Sequence, residues 1–405
     1  MNNPKDFIVK VGILGPTRVG KTSLIAAIMH NAKELLTGSP VSLEPYDSKT
    51  EKRLTQHHKE LEGSIRAGEF HPGAVSGTQE SSTYELKLNP GIDGVPGIRF
   101  SVLDYPGGWI DQSHRPSERE DEWKRCKQWI KDSNVLIVPI ESAVLMEAHS
   151  AAHRRAVPFI LNTVEIANVA RDWAKGRASL SAEPALLVFS PVKCESYFDD
   201  NGGRRDASDQ LFRHFEDYYG EVIRVVKSEA NNVQILYAPV DTIGCCEITN
   251  TQWNTSDNSH TFTAHYLVRK QARQSIIGAK SVLISLCRVI MDAAKNVEFD
   301  EAQHLTDLAE SAQEEAKLSH MDAEHASKFA DQDEGVIGNL WIWLNGERKR
   351  REREAEARLK KAEQVQDKAN EHSDNAFTQY KKVESFSETI NRLAKEPMDS
   401  RTRKL

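Results

Sequence analysis

Long apolar runs are missing from this 405-residue chain. None approaches the ~20 residues that a helix needs to cross a bilayer, which excludes a protein built on membrane-spanning helices. Cysteine is scarce: five residues, at 126, 194, 245, 246 and 287, with no paired or metal-site spacing. That pattern excludes a disulfide framework and a cysteine-based zinc site. The adjacent Cys245-Cys246 pair is expected in a partly buried loop rather than at a redox centre. An excess of positive charge is absent too. Lys and Arg number 53 against 60 Asp and Glu, giving a formal net charge of −7 and a pI near 6.1. Nucleic acid is therefore an improbable partner for the surface as a whole. The opening residues, Met1-Asn2-Asn3-Pro4-Lys5-Asp6, carry neither the basic nor the apolar region of a secretion signal. A reduced, cytoplasmic setting is the expectation. The length accommodates two domains, or one large domain with an appendage.

What is present begins near residue 15. Gly15-Pro16-Thr17-Arg18-Val19-Gly20-Lys21-Thr22 fits Gly-x4-Gly-Lys-Ser/Thr, the Walker A pattern. It follows a strand-like run, Phe7 to Leu14, and precedes a helix-compatible apolar stretch, Ser23 to Met29. Strand, glycine loop and helix in that order form a phosphate cradle. Glycine lets the backbone curl so that successive N–H groups face phosphate oxygens. Gly15, Thr17, Arg18, Val19, Gly20, Lys21, Thr22 and Ser23 are expected to line it. Lys21 would supply charge for the β- and γ-phosphates, and Thr22 a hydroxyl for Mg²⁺.

Further along, Ile98 to Asp104 reads as a strand ending in a carboxylate, followed by Tyr105-Pro106-Gly107-Gly108-Trp109. Asp104 can hold a Mg²⁺-bound water opposite Thr22. Gly107 can bring a main-chain N–H to the γ-phosphate, making the loop sensitive to the third phosphate. Ser81 to Leu88 alternates like a strand and joins the Asp104 strand through Asn89 to Gly97, as in a hairpin. Just before it, Thr78 sits in a polar loop as a candidate third metal ligand, with an ordinary turn threonine as the alternative. Strands are also expected at Asn134–Ile140, Ala185–Ser190 and Val233–Val240, with crossover helices over Ala151–Lys175 and Asp206–Ala230. This alternation predicts an α/β fold with an open, doubly wound, mostly parallel sheet. After the 185–190 strand comes Val192-Lys193-Cys194-Glu195, where GTPases carry Asn/Thr-Lys-x-Asp. The lysine stem lies on the purine, and the acid, here Glu, accepts from the guanine ring. Main-chain N–H groups around Ala238 or Thr242 would meet the base edge. Guanine is favoured over adenine, with solvated loop charges as the alternative for Lys193 and Glu195.

These elements, in this order, make the chain resemble the translation-factor-related (TRAFAC) class of P-loop GTPases over roughly Phe7 to Cys246. Within that class it is most similar to the bacterial YcjX-like group, through Asp104-Tyr105-Pro106-Gly107-Gly108-Trp109. The resemblance implies Mg²⁺-dependent GTP/GDP binding and slow hydrolysis, with Lys21, Thr22 and Asp104 as carried-over residues. Val192 and Glu195 depart from the base-reading pattern. Gly108 stands where many GTPases place the glutamine that orients water. Water positioning then falls to Asp111, Gln112 or Arg115, and charge stabilisation to Arg18 or to a partner's arginine.

Residues 1–298 are thus expected to form the nucleotide domain. It would carry an inserted helix near 48–70, with His57-His58 on its exposed polar face, and close with a helix from Tyr266 to about Val297. Beyond it, Ala302, Ala309, Ala316, Ala323 and Ala330 recur every seven residues, as do Ala355, Ala362, Ala369, Ala376, Val383 and Ile390. Strict heptads predict a supercoiled seam. Pairing Ala323 with Ala362 also sets Glu324 near Lys361, so 299–396 is expected as an antiparallel coiled-coil hairpin, with separate helices packed on the nucleotide domain as the alternative. Its apolar tip near 335–346 includes Leu340-Trp341-Ile342-Trp343-Leu344, which suits a protein partner or a second copy, peripheral membrane contact, or a cap on the coil. The tail, 397–405, is expected to be disordered. The sequence predicts a GTP-dependent switch with a helical arm. A scaffold with structural nucleotide, an ATPase and a dynamin-like membrane GTPase are the alternatives.

Overall fold

The computed structural model describes residues 7–70, 78–91, 97–111, 115–180, 183, 185–199, 205–256, 259–269, 275–292 and 387–405. The elements are β1 (Phe7–Ile13), α1 (Lys21–Leu36), β2 (Ser42–Pro45), α2 (Ser48–Ala67), β3 (Glu69–Phe70), β4 (Ser82–Asn89) and β5 (Ile98–Asp104). Then follow α3 (Glu120–Lys131), β6 (Val135–Glu141), α4 (Ser142–Met146), α5 (Ala151–Ile160), α6 (Thr163–Ala178), β7 (Leu186–Val192), α7 (Ser208–Glu229) and β8 (Gln234–Tyr237). A hairpin, β9 (Cys246–Ser256) and β10 (Ser259–Val268), precedes helices α8 (279–292) and α9 (387–395) and the short β11 (Arg403–Lys404).

Eight strands form the main sheet in the order β11-β8-β7-β6-β1-β5-β4-β2. The five from β8 to β5 run parallel, while β4, β2 and β11 are antiparallel additions at the two edges. The apolar runs of β6 and β7 are buried at every position, as expected for parallel strands covered on both faces. Helix α1, with Leu24, Ile25, Ala27 and Ile28 buried, joins one core with α8 and α9. On the other core, Trp173 of α6 is fully buried and donates through Nε1 to the Ser133 carbonyl at 2.7 Å. Because β1 has β5 on one side and β6 on the other, the crossovers diverge at its carboxyl end. Open α/β sheets bind ligands at such a point, and the Gly15–Thr22 loop begins there. The hairpin expected between β4 and β5 is formed, with Ser82 opposite Asp104.

Three expectations are corrected. The closing helix does not start at Tyr266. Residues 259–268 alternate Thr, Phe, Thr, Ala, His and Tyr, and pair as β10 with β9 and with β3, so the helix starts only at 279. His57 is not on an exposed face: it is 4% exposed, and burial pushes its imidazole down to about 4, so it stays neutral. Cys245 and Cys246 are fully rather than partly buried.

The closing residues, expected without order, lie on the sheet edge. Arg403 and Lys404 pair with Tyr237 and Leu236, and the Arg403 guanidinium stacks 4.0 Å from the Phe212 ring. Arg401 likewise covers Phe198 at 4.1 Å and pairs with Asp399. Unpaired main-chain groups on β8 and cation–π contact together fix a segment whose composition looks mobile.

The heptad arm from 299 to 386, with its apolar tip, lies outside the described residues. Its two roots are described, and they run antiparallel. Ser281 accepts from the Asp399 amide, Ser285 meets Met398, and Arg288 donates to the Ala394 and Glu396 carbonyls at 2.6 and 2.9 Å. Ile390, the last member of the second heptad series, is buried in the α1–α8 core with Leu393. Among the described residues no helix is long and apolar enough to cross a membrane. Arg288→Ala is expected to lower stability by about 2 kcal/mol, since charge-assisted hydrogen bonds to helix-end carbonyls are lost. Exposed Lys127→Ala should change it by less than about 0.5 kcal/mol. Urea unfolding of both variants measures the difference.

Candidate functional site

The cradle is built from the residues between β1 and α1. Gly20 adopts φ 106° as the residue capping α1, a conformation that an L side chain rarely takes. No side chain caps the helix and its first turn holds no acid, so the amides at its start keep their positive end directed at the loop. Lys21 is buried, and its ammonium donates to the carbonyls of Gly15 and Pro16 at 3.1 Å each. Burial pushes that ammonium down to about 8, opposed by the charge of Asp104. Gly15 packs under the loop against Pro139 and Val19. Thr17 and Arg18 are exposed, and Thr22 and Ser23 are half-buried at the head of α1.

The turn after β5 rests directly on this loop. A Cβ at Gly107 would lie 2.4 Å from the Pro16 carbonyl carbon and the Thr17 nitrogen, so only glycine permits the contact. The Asp104-x-x-Gly107 element therefore rests on the phosphate loop through the main chain of Gly107, with the Tyr105 ring 5.5 Å from the Lys21 ammonium.

The three expected metal ligands converge. Asp104 is fully buried, and its Oδ2 accepts from the Thr78 hydroxyl at 2.9 Å. Thr22 lies near the Tyr84 phenol, which also feels the Asp104 charge. Asp104 Oδ1 is buried with no hydrogen-bond partner among the described residues. An orphaned carboxylate oxygen of this kind suits a hydrated divalent ion. No group of three His, Cys, Asp or Glu side chains poised for a metal occurs among the described residues. Any ion here would depend on the nucleotide for much of its coordination, as Mg²⁺ commonly does.

Sequence inspection missed one member of this cluster. Arg53, from α2, donates to Asp104 Oδ2 at 2.8 Å and to the Thr83 carbonyl at 3.3 Å, with its guanidinium 3.7 Å from the Tyr84 ring centroid. Nothing in the local pattern Lys52-Arg53-Leu54 sets it apart from a solvated helix charge. The water-positioning candidates fare differently. Arg115 is committed to the Trp109 carbonyl and to Glu120, and Gln112 lies outside the described residues.

The base-side residues are joined to the same loop in an unexpected way. Lys193, in the left-handed region at φ 58°, donates to the Arg18 carbonyl at 3.2 Å and to the Glu141 carboxylate. Glu195 is 2% exposed, and its Oε1 accepts from the Ile243 and Gly244 amides at 2.8 and 3.0 Å. Burial raises its carboxyl above the usual range, and those two amides oppose the rise. To read guanine, that carboxylate would have to exchange main-chain donors for the base. Ala238 is corrected as a base contact: its N–H donates to the Phe189 carbonyl at 2.9 Å, because β7–β8 pairing continues past Tyr237.

No family model matches this chain, and no curated protein matches it. Among solved structures it is similar to the S. cerevisiae Ski7 GTPase-like domain bound to GDP and inorganic phosphate, at 13% identity and a TM-score of 0.32. The same domain bound to GTP gives 13% identity and 0.31. Each covers 59% of this chain and 44% of the neighbour, so the chain spans less than half the length of those proteins. A likeness this distant carries no argument about the site, which rests on its own geometry.

Proposed function

We propose that the chain binds a nucleoside triphosphate with Mg²⁺ at the Gly15–Thr22 loop and hydrolyses it slowly, as a molecular switch. The observation that carries this reading is a buried lysine at the uncapped head of α1 that feels the charge of Asp104, a buried carboxylate with one unpartnered oxygen. Main-chain amides and Lys21 would hold the phosphates, and Thr22, Thr78 and Asp104 would surround the ion, which supplies charge neutralisation and orientation when bound. Gly107, lying on the loop, would sense the terminal phosphate through its main chain.

Guanine is the proposed base, on the strength of the Lys193-x-Glu195 segment and of Lys193 reaching the phosphate loop. A second reading, a site indifferent to the base, draws support from the engagement of Glu195 by Ile243 and Gly244. Competition between GTP and ATP for a fluorescent nucleotide separates them.

The proposed output is the heptad arm, 299–386, as an antiparallel coiled coil that meets a protein partner or a second copy. Two facts support it: the antiparallel α8–α9 roots, and tail contacts that tie them to Phe198, three residues beyond Glu195. A change at the base loop would thereby reach the arm.

Two outcomes test the site. Lys21→Ala should weaken triphosphate binding by at least about tenfold, read by titration of a fluorescent GTP analogue, because a charge-assisted contact is removed; unchanged affinity would remove Lys21 from the site. The second is pH dependence. Only the protonated ammonium attracts phosphate, and in the free protein it deprotonates near 8. Affinity in the wild type should therefore fall by about tenfold between roughly pH 7 and 9, with proton uptake on binding visible by calorimetry in buffers of different ionisation enthalpy. A flat profile would sink this assignment.

A further inference from the structure

Resting on the nucleotide-binding reading, we propose that Arg53 is the arginine that neutralises charge on the transferring phosphoryl group, delivered within the same chain by α2. The geometry argues for it in steps. Helix α2 lies outside the parallel sheet that carries the other site residues, between the phosphate loop and Thr78. Its start is fixed by Asp47, whose carboxylate accepts from the Thr50 amide at 2.6 Å, and its end by Gly68 at φ 81°. One turn in from that start, Arg53 reaches into the site and not into solvent: its side chain is 24% exposed, and its partner Asp104 is fully buried.

The guanidinium is held on three sides. Asp104 Oδ2 takes one nitrogen, the Thr83 carbonyl the other, and the Tyr84 ring lies under the plane. Stacking fixes the fork without a further charged partner, an arrangement lysine cannot copy. Asp104 is also the carboxylate on which a hydrated ion would draw. An ion drawn to the free Oδ1 of that carboxylate shares its charge and weakens its hold on Arg53 through Oδ2, so that the guanidinium can turn to the phosphates.

Two other cations around the loop are committed elsewhere, and a third is exposed. Lys193 bonds Glu141 and the Arg18 carbonyl, Arg115 bonds Trp109 and Glu120, and Arg18 is exposed. Gly108 stands where a glutamine would orient water. A site of that kind depends on added positive charge for its rate.

In the step served, the oxygen of water bonds to the terminal phosphorus. The bond from that phosphorus to the β–γ bridging oxygen breaks, and its electron pair stays on the bridging oxygen of the departing diphosphate. The proton released by water ends on inorganic phosphate or solvent. Arg53 faces the negative charge that grows on the bridging and terminal oxygens. It is needed in that state more than in the bound triphosphate.

The experiment compares wild type, Arg53→Ala and Arg53→Lys in three measurements: binding of a non-hydrolysable GTP analogue with Mg²⁺, single-turnover hydrolysis, and trapping of GDP with aluminium fluoride as a mimic of the transferring group. Expected for both variants are analogue affinity within about threefold of wild type, hydrolysis slower by about 10³-fold, and loss of the aluminium fluoride complex. Wild-type trapping or hydrolysis in Arg53→Ala would overturn the proposal. So would a loss of analogue affinity that parallels the loss of rate, since that marks a role in holding Asp104 and α2. Failure of the wild type to bind any nucleotide would instead sink the nucleotide-binding reading, and this one with it.

Discussion

The constraint on which the rest of this structure depends is the burial of an ammonium beside a carboxylate at the carboxyl end of the central sheet. Lys21 and Asp104 close neighbouring strands, β1 with its loop and β5, and both are withdrawn from water. Isolated charges in such a place cost several kcal/mol each. Lys21 offsets part of that cost by donating to the Gly15 and Pro16 carbonyls, and Asp104 by accepting from Arg53 and Thr78. The loop conformation follows: two of its carbonyls must turn toward Lys21. Gly20, at φ 106°, allows the curl that this requires.

Each surrounding element then answers to that pair. Gly107 has no side chain because its backbone must lie on Pro16 and Thr17. Helix α2 is more than an insertion, since its Arg53 partners Asp104. Lys193 spans from the far side to the Arg18 carbonyl, so the segment after β7 is tied to the phosphate loop by one flexible side chain. The antiparallel roots of the arm are tied in turn to the loop near Phe198 through Arg401. Contacts thus run from the phosphate loop through the 193–198 segment and the closing residues to the start of α8.

Much of this was legible before any coordinates. The strands at 98–104, 134–140 and 185–190 are long apolar runs whose burial leaves few alternatives, and the glycine-rich loop has its own spacing. Thr78 could be singled out only because it lies in the polar loop just before the strand that forms a hairpin with the Asp104 strand. Arg53 was hidden, because a basic residue on an amphipathic helix has the same local signature whether it faces water or a carboxylate. The segment 259–268 misled because Tyr266, Leu267 and the later apolar residues of α8 fit a helical period across what is really a strand and a separate helix. The tail misled for the opposite reason: Arg401 and Arg403 look solvated until two aromatic rings are brought beneath them.

Sequence alone determined the local chemistry: a loop whose glycines permit a phosphate cradle, a lysine and threonine at its end, a strand closed by a carboxylate, and a heptad repeat. Those features depend on residues adjacent along the chain, so their spacing carries the information. Tertiary structure decided which distant groups share a dielectric environment. It set Arg53 on Asp104, turned Glu195 onto the amides of Ile243 and Gly244, and withdrew the Ala238 amide into the sheet. Such pairings depend on the folded path between residues far apart, because a buried charge or amide takes the nearest partner the fold supplies, whatever its place in the chain.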